Sequence, residues 1–507
     1  MLTIENLARF QFAMTTIFHF FFVPLSVGMV LMTAIMETIY VKTGDEKWKK
    51  RTKFFGSIML LSFAVGVVTG IIQEFQFGMN WSEYSRYVGD VFGAPLAVEA
   101  LLAFFLESTF LGVWMFGWDK LGKKLHNATL WIVFVGTFLS SLWILAANSW
   151  MQNPVGYEVK GGRATLTSFS ALLTNPQTIL EFSHVATGFL VTGGFVVAGI
   201  AAYQILKNRE IDMFKPVLRL GLLVALIGAV GNFVAGDQQM IEVKNSQPMK
   251  FAATEGVYET TPDPAAWDMV AFFNEADHKE VFGIQIPYML SILTYHRPSG
   301  SVEGMNEINA QLQKKYPDVA KEIGGNFFPP VTVLFWTFRI MAGLSMLMIL
   351  LSALGLFWTR KKKTSLYKNK FGLQVYRWML FAPFLAITSG WLVTELGRYP
   401  WTVYGLFTMK DSVSPNISVG SLLFSNIVYF FLFCFLGAVM VYFTLQRMRE
   451  GVEGAETAYV SLDSFSQENF DSSSKEENEI QKKLKRKEWM NNDWITTFLV
   501  YYCWSII

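Results

Sequence analysis

The chain has 507 residues, of which 52% are hydrophobic and 16% aromatic, and its formal net charge at pH 7 is +2. This composition is typical of a helical protein that crosses a membrane several times, and the small net charge gives no support for nucleic-acid binding. The two cysteines, Cys434 and Cys503, indicate neither a disulfide framework nor a metal site.

Long apolar segments dominate the chain from its start. Residues 1–11 lack the basic region of a secretory signal, so we expect the first apolar segment to be retained. Segments long enough to span a bilayer occur at roughly 12–40, 54–77, 94–118, 128–150, 180–206, 217–240, 328–358, 375–396 and 419–445.

The loops between these segments differ in basic residues. Lysine and arginine concentrate after the first, third, fifth and seventh segments, and the alternate loops contain few. The pattern predicts an all-α membrane protein with nine transmembrane helices, its N-terminus outside and its C-terminus in the cytoplasm. It divides the chain into helices one to six (1–240), a long outside loop (241–327), helices seven to nine (328–449) and a polar, disordered cytoplasmic tail with a short apolar end (450–507).

The third apolar segment contains two carboxylates, Glu99 and Glu107, and no basic residue. A charged group inside a membrane is costly, so such residues face the protein interior and usually have a function. In an ideal helix the two lie about 12 Å apart along the axis and about 80° apart around it. We expect a proton path, or a cofactor ligand with its proton donor; the alternative is a pair of neutral glutamates hydrogen-bonded to neighbouring helices.

Other polar residues inside the predicted spans collect on the outer side of the membrane. Histidine and carboxylate side chains there can hold a metal or a heme, and deeper residues can bring protons from the cytoplasm. For a single histidine, a hydrogen-bonded core position is the more common role. The outer group comprises His19, Glu74, Glu99, His184 and Glu395, and the deeper group comprises Glu107 and Ser140.

The seventh segment contains the sequence FRIM, which places Arg339 two residues before Met341. A buried guanidinium needs an anion, and a heme propionate would suit it. Methionine with histidine is an axial pair of low-spin hemes, although most methionines in such a chain fill gaps between helices. The sequence has no CxxCH motif, so a heme would be held non-covalently.

The chain resembles subunit I of the cytochrome bd quinol oxidases over about residues 1–449. The resemblance rests on seven segments in order: RFQFAMTTIFHFFFVPLSVG, GIIQEFQFGMNW, VGDVFGAPLAVEALLAFFLESTFLG, NSWMQNPVGY, QPMKFAATE, FRIM and GWLVTELGRYPW. It implies two four-helix bundles plus one peripheral helix, in a multi-pass protein of the bacterial cytoplasmic membrane. The implied activity is a respiratory terminal oxidase that oxidises quinol at the outer side, reduces O2 to water and generates proton motive force without pumping.

The resemblance also implies cofactors and their ligands. His184 and Met341 would ligate the iron of a low-spin heme b, with Arg339 beside it. His19 and Glu395 would ligate the irons of a high-spin heme b and heme d, in an order that stays open. Further residues implied in cofactor binding are Glu99, Trp391 and Arg398.

The same resemblance implies a proton path and a quinol site. Glu107 and Ser140 match the path from the cytoplasm, and Gln247, Lys250 and Glu255 match positions implicated in quinol oxidation. For Lys250 and Glu255 the alternative is a solvated salt bridge in the loop. The implied partners are quinol, O2, an integral membrane subunit II and small single-helix accessory subunits.

One position departs from the family pattern. The eighth segment reads GRYPW where the family has GRQPW, so Tyr399 replaces a glutamine, and a phenol cannot copy the donor and acceptor groups of an amide. Two other classes compete with the oxidase: a proton-coupled secondary transporter and a b-type cytochrome anchor of a dehydrogenase. The sequence lacks the inverted repeats expected of such a transporter. A dehydrogenase anchor would have no use for His19, Glu99 and Glu395.

Overall fold

The computed structural model of the chain describes residues 3–360 and 365–462. Within them, nine helices are long and apolar enough to cross a membrane, which confirms the predicted number. They are α1 (Ile4–Thr43), α2 (Glu46–Met79), α3 (Ser82–Phe116), α4 (Lys123–Gln152), α5 (Pro176–Leu206), α6 (Ile211–Ser246), α7 (Val331–Trp358), α8 (Lys370–Leu396) and α9 (Val419–Val452). Their orientation across the membrane stays a prediction, and residues 463–507 of the predicted tail lie outside the described residues.

Local sequence sets where these helices begin and end. The Thr3 hydroxyl accepts a hydrogen bond from Asn6 N and caps α1, which ends at Gly44, whose φ of 69° suits glycine. Asn175 caps α5 through Gln177 N, and Pro176 follows at the first helical position, where its missing N–H costs nothing. The boundaries therefore follow from capping residues that flank the apolar segments.

The third helix contains a π-helical segment, Glu99–Phe104, between two α-helical parts. A π segment adds residues to a turn and rotates the side chains that follow it, and such segments often occur at functional sites. It lies between Glu99 and Glu107. The ideal-helix estimate of about 80° between these carboxylates is therefore wrong for this chain.

The membrane helices form two groups. Helices α1–α4 pack together, as do α5–α8, and α9 packs against α1 and α2. This is the predicted arrangement of two four-helix bundles with one peripheral helix. The groups meet where α1 crosses α5: a Cβ at Gly28 would lie 2.7 Å from Gly193 N, so glycine on both helices allows their backbones to touch.

The segment 241–327, called the long loop below, is folded. It contains the helix Pro248–Glu255, an antiparallel hairpin of two strands (Trp267–Asn274 and Lys279–Ile286), and the helices Met289–Tyr295, Met305–Lys315 and Pro317–Glu322. Shorter elements elsewhere are the strand pairs Tyr157–Lys160 with Arg163–Leu166 and Trp401–Val403 with Phe407–Thr408, and the helices Phe169–Leu173, Ser365–Lys368 and Met409–Ser412. The end of the molecule at which the long loop lies is called the loop end.

Candidate functional site

A cavity of about 2740 Å³ lies among the membrane helices and reaches the long loop. Pockets for one small ligand usually measure roughly 300–1,000 Å³, so this cavity has room for several cofactor-sized groups. All the predicted site residues in the described part of the chain line it except Gln247. Those that do are His19, Glu99, Glu107, Ser140, His184, Lys250, Glu255, Arg339, Met341, Trp391, Glu395 and Arg398.

Glycines face the two predicted ligands of the low-spin heme. A Cβ at Gly236 on α6 would lie 3.0 Å from His184 Cε1, and one at Gly390 on α8 would lie 2.9 Å from Met341 Sδ. The ring nitrogen Nδ1 of His184 is buried and has no hydrogen-bond partner within the described residues. An unpaired imidazole, a thioether and walls without side chains fit a flat macrocycle bound through histidine and methionine.

The hydrogen bond of His19 indicates which of its ring nitrogens can bind a metal. The Thr69 hydroxyl donates to backbone carbonyls of α2, at 3.0 Å to Val65 O and 2.9 Å to Gly66 O. Its oxygen, 3.0 Å from His19 Nδ1, therefore acts as an acceptor. This places the hydrogen on Nδ1 and leaves the lone pair of Nε2 for a metal, an arrangement common in histidine ligands.

Glu395 lies at the end of α8 beside a buried guanidinium. Arg398 Nη2 donates to Glu395 Oε2 at 2.6 Å, and Asn148 Nδ2 donates to Oε1 at 3.1 Å. Arg398 is only 4% exposed, and its Nε and Nη1 have no partner within residues 3–360 and 365–462. Two unpaired buried donors on a guanidinium suit an acidic group of a cofactor, such as a heme propionate.

The predicted proton path lies along one face of α4. Ser140 Oγ donates to Glu99 Oε1 at 2.7 Å. One turn earlier, a Cβ at Gly136 would lie 3.0 Å from Glu107 Cγ, so the Glu107 side chain, 7% exposed, packs directly against α4. The three residues are thus brought to one wall of the cavity. On α8 the same cavity has Trp391, which stacks on Phe20 with a centroid distance of 4.4 Å.

At the loop end, Lys250 is buried and bonded to α4. Its Nζ donates to Gln152 Oε1 at 2.6 Å, and Gln247 Nε2 donates to the same oxygen at 3.0 Å. Burial, together with the Arg398 charge, lowers the pKa of Lys250 to about 7, although the charges of Glu395 and Glu181 act in the opposite direction. Lys250 can therefore exchange a proton near neutral pH.

Glu255 is paired with a different residue. Arg339 Nη2 donates to Glu255 Oε2 at 2.9 Å, and Trp267 Nε1 donates to the same oxygen at 3.0 Å. The solvated Lys250–Glu255 salt bridge is therefore wrong, because both residues are buried and each has another partner. The anion expected beside Arg339 was a heme propionate; in the structure it is Glu255, and Arg339 also bonds to Thr254 O at 2.7 Å.

Sequence reasoning missed Glu181, which is 3% exposed on α5. It accepts a hydrogen bond from Ser149 Oγ at 2.7 Å. The last turns of α4 thus supply Asn148 to Glu395, Ser149 to Glu181 and Gln152 to Lys250. An acidic residue one turn before His184 was the available signal for Glu181, whereas the neutral residues of α4 give none.

A second missed cluster lies toward the opposite end of α1, α3 and α4. Glu37 Oε1 is 2.6 Å from His126 Nδ1, and Glu37 Oε2 accepts from Trp114 Nε1 at 2.7 Å. His126 Nε2 is 2.8 Å from Trp114 O, so both ring nitrogens face acceptor oxygens. Glu37 thus accepts from Trp114 and shares a hydrogen bond with His126, so the cluster connects α1, α3 and α4.

Removing the carboxylate of this cluster should destabilise the protein without changing its cofactors. Glu37→Ala leaves the buried donors of His126 and Trp114 without their acceptor, and we expect a loss of about 1–3 kcal/mol in the free energy of unfolding. Thermal unfolding in detergent measures it, with Glu158→Ala, an exposed carboxylate, as the control. Equal unfolding temperatures for the two variants would contradict the structural role.

The fold and the site together define a polytopic helical membrane protein with a redox-cofactor cavity that also contains buried carboxylates. The chain belongs to the family described as cytochrome bd terminal oxidase subunit I, whose pattern matches residues 7–452. Three similar proteins agree with this assignment.

Two of them are curated sequences. The chain is 49% identical over 466 residues to the cytochrome bd ubiquinol oxidase subunit 1 of Bacillus subtilis (strain 168), covering 92% of this chain and 98% of that protein. It is 35% identical over 498 residues to the cytochrome bd-II ubiquinol oxidase subunit 1 of Escherichia coli (strain K12), covering 88% and 96%. The third is the solved structure of the bd oxidase from Geobacillus thermodenitrificans, which has a similar fold with a TM-score of 0.79 at 24% identity, covering 88% of this chain and 99% of that one.

Membership in this family confirms the resemblance and the terminal-oxidase function. The chain is a heme-dependent, multi-pass protein of the bacterial cytoplasmic membrane, and the names of its relatives describe one subunit of a larger oxidase. The transporter and the dehydrogenase anchor are therefore set aside.

Proposed function

We propose that this subunit oxidises quinol at the long loop and reduces O2 to water deeper in the cavity, with protons drawn from the cytoplasm. The observation that supports this most is the continuity of the cavity, which runs from Lys250 and Glu255 to Glu107. The names of the two relatives described above specify ubiquinol, which supports a quinol as the electron donor.

The cofactors of the proposal are a low-spin heme b, a high-spin heme b and heme d. His184 and Met341 hold the first, and His19 and Glu395 hold the irons of the other two, in an order left open. Arg398 and Trp391 would bind the cofactors, and Arg339 would hold the long loop in place through Glu255. When bound, these hemes supply electron transfer and the chemistry of O2. A subunit II completes the enzyme, with small single-helix subunits as further partners.

At the loop end, two buried side chains, one basic and one acidic, act on the quinol. Lys250 donates a hydrogen bond to an oxygen of the quinol ring, and Gln247 holds Gln152, which positions the Lys250 ammonium group. Glu255 accepts a proton from the quinol, since it is a carboxylate already fixed by Arg339 and Trp267. Fixed positions of both groups reduce the entropy that has to be lost when quinol binds.

The proton path makes the reaction move charge across the membrane. Glu107 receives protons from the cytoplasm and Ser140 and Glu99 pass them toward the oxygen site, while quinol protons leave on the outside. Each electron then moves one charge across the membrane, against about 2.3 kcal/mol per 100 mV, without a separate pump. The loop charges of the sequence support the orientation that this requires.

Glu255→Gln should separate quinol oxidation from the rest of the enzyme. We expect the rate of quinol oxidation to fall by about 10²-fold, because glutamine cannot accept the proton. Oxidation of tetramethyl-p-phenylenediamine, which donates an electron without a proton, should stay near the wild-type rate. Oxygen consumption with each donor measures both, and Glu303→Gln, an exposed carboxylate of the same loop, is the control.

A reduced-minus-oxidised absorption spectrum tests the proposed cofactors directly. Membranes that contain the chain and its subunit II should show low-spin and high-spin b bands together with a far-red chlorin band. A low-spin b band alone would contradict the oxygen site, and absence of heme from folded protein would overturn the proposal.

A further inference from the structure

The hairpin of the long loop contains a buried carboxyl group that the quinol site does not use. Asp268 is 7% exposed, and its Oδ1 has no hydrogen-bond partner in the part of the chain that the structure describes. Its other oxygen accepts only a long bond from Gln285 Nε2, at 3.5 Å. A buried carboxyl group without a strong partner is costly, and such a group usually holds or transfers a proton.

A second carboxyl group lies beside it. Glu280 Oε1 and Asp268 Oδ1 both lie within 2.5 Å of one point, the position that a Cβ would take at Gly283. The missing side chain of Gly283 therefore leaves the space in which the two carboxyl groups approach each other. Glu280 is partly exposed, so the pair extends from the interior of the hairpin to its surface.

The charged groups around Asp268 come from three elements. Glu255 faces it from the helix Pro248–Glu255, Arg339 from α7 and Glu280 from the opposite strand. Arg339 Nη2 donates to the main-chain oxygen of Asp268 at 2.7 Å, but its ion pair is with the carboxylate of Glu255. Burial raises the pKa of Asp268, although the hydrogen bond from Gln285 and the charge of Arg339 act in the opposite direction. Burial and the charge of Asp268 together raise the pKa of Glu280.

Two residues, Trp267 and Arg339, connect Glu255 with Asp268. Trp267 donates to Glu255 Oε2 and is the residue before Asp268, and Arg339 bonds to both Glu255 and Asp268. A single ordered water can bridge two polar groups of this kind at little cost. Exposure then increases along the series, from Glu255 at 4% and Asp268 at 7% to the partly exposed Glu280.

We propose that Asp268 and Glu280 release the quinol proton to the outside solution, which makes them proton-transfer residues of the long loop. The inference rests on the proposed quinol site at Glu255. Oxidation of one quinol to a quinone passes two electrons to the oxidase and releases two protons. Each proton in turn goes to Glu255, then through a bridging water to Asp268 and on to Glu280, which releases it to solvent, so each carboxyl group returns to its starting state after each transfer.

Asp268→Asn tests this role. We expect the kcat of quinol oxidation to fall about tenfold, less than the 10²-fold or more for loss of a direct proton acceptor, with an unchanged KM for quinol. Raising the pH should restore part of the rate, because proton release then becomes easier. Oxidation of tetramethyl-p-phenylenediamine should not change, and Asp268→Glu should recover most of the activity.

Two further variants make the result decisive. Glu280→Gln should reproduce the loss in weaker form, and Asp277→Asn, an exposed aspartate at the turn of the same hairpin, is the matched control. If Glu255→Gln loses quinol oxidation while Asp268→Asn and Glu280→Gln keep it, the release route is wrong and the quinol site stands. If Glu255→Gln also keeps it, the quinol site itself fails. Loss of activity with both electron donors in Asp268→Asn would mean a structural role and would overturn the inference.

Discussion

His184→Ala is expected to remove the low-spin b band from the reduced-minus-oxidised spectrum and to abolish quinol oxidation. Alanine would leave Met341 as the one proposed side-chain ligand of that heme. Loss of a residue that merely supports a metal ligand costs roughly 10–100-fold, so loss of the ligand itself should exceed that range. Difference spectra and oxygen consumption of the purified complex measure the two effects.

The control for this variant is His296→Ala. His296 lies in the long loop, is exposed and pairs with Asp237, so its removal should leave the spectrum and the activity at wild-type values. Thermal unfolding of the His184→Ala protein shows whether it still folds. A folded variant that keeps an intact low-spin band would exclude His184 as a ligand.

The glycines opposite His184 and Met341 support their proposed assignment as ligands. Gly236 and Gly390 come within 3.0 Å of His184 and Met341 at the positions where any other residue would have a Cβ. A structural histidine in a helix bundle needs a partner for its ring nitrogens, yet Nδ1 of His184 has none among the described residues. His126 is the contrasting case, since both of its nitrogens have oxygen partners.

The nine helices were predictable because two strong physical signals agree. An apolar run of about 20 residues has few alternatives to a membrane helix, and polar residues within it must face the protein interior. His19, Glu99, His184 and Glu395 could therefore be selected from the sequence, and the structure brings them to one cavity. Only the resemblance to a family, however, distinguished ligands from proton carriers.

Other features of the site were not predictable, for identifiable reasons. The π segment Glu99–Phe104 lies within one predicted apolar segment, whose composition does not indicate a change from α- to π-helical hydrogen bonding. Asn148, Ser149 and Gln152 are neutral residues in the motif NSWMQNPVGY, and their importance comes from Glu395, Glu181 and Lys250, which are distant in sequence. The hairpin around Asp268 was not predictable, because its first strand, Trp267–Asn274, contains a continuous apolar run instead of the alternation of apolar and polar residues typical of a half-buried strand.

The two ends of the cavity differ in how their carboxyl groups are held. At the loop end, Glu255 and Glu395 each bond to an arginine, which fixes the position of the carboxyl group. In the membrane interior, Glu99 accepts a bond from Ser140 and Glu107 packs against the backbone at Gly136, and neither forms an ion pair within the part of the chain that the structure describes. Carboxyl groups without a basic partner suit the proposed proton path, whereas the arginine-bound ones suit fixed positions at the loop end.

Glu107→Gln is therefore expected to slow the reduction of O2 by about 10²-fold or more, the scale of a lost proton-transfer group. Glutamine has nearly the same shape, so the contact with Gly136 remains and the heme spectrum should change little. Electron entry should be unaffected, and the hemes should stay reduced during turnover because electrons arrive faster than protons. Stopped-flow absorption during turnover, together with oxygen consumption, measures both.

Glu83→Gln is the matched control for this last variant, because Glu83 lies on the same helix but is paired with Arg86 at the surface. It should retain wild-type oxygen consumption. Ser140→Ala should slow the same step, and because Ser140 and Glu107 act in series, the double variant should be little slower than Glu107→Gln alone. Full activity in Glu107→Gln would remove this residue from the path, and protons would then have to reach Glu99 by a route that avoids the face of α4 at Gly136.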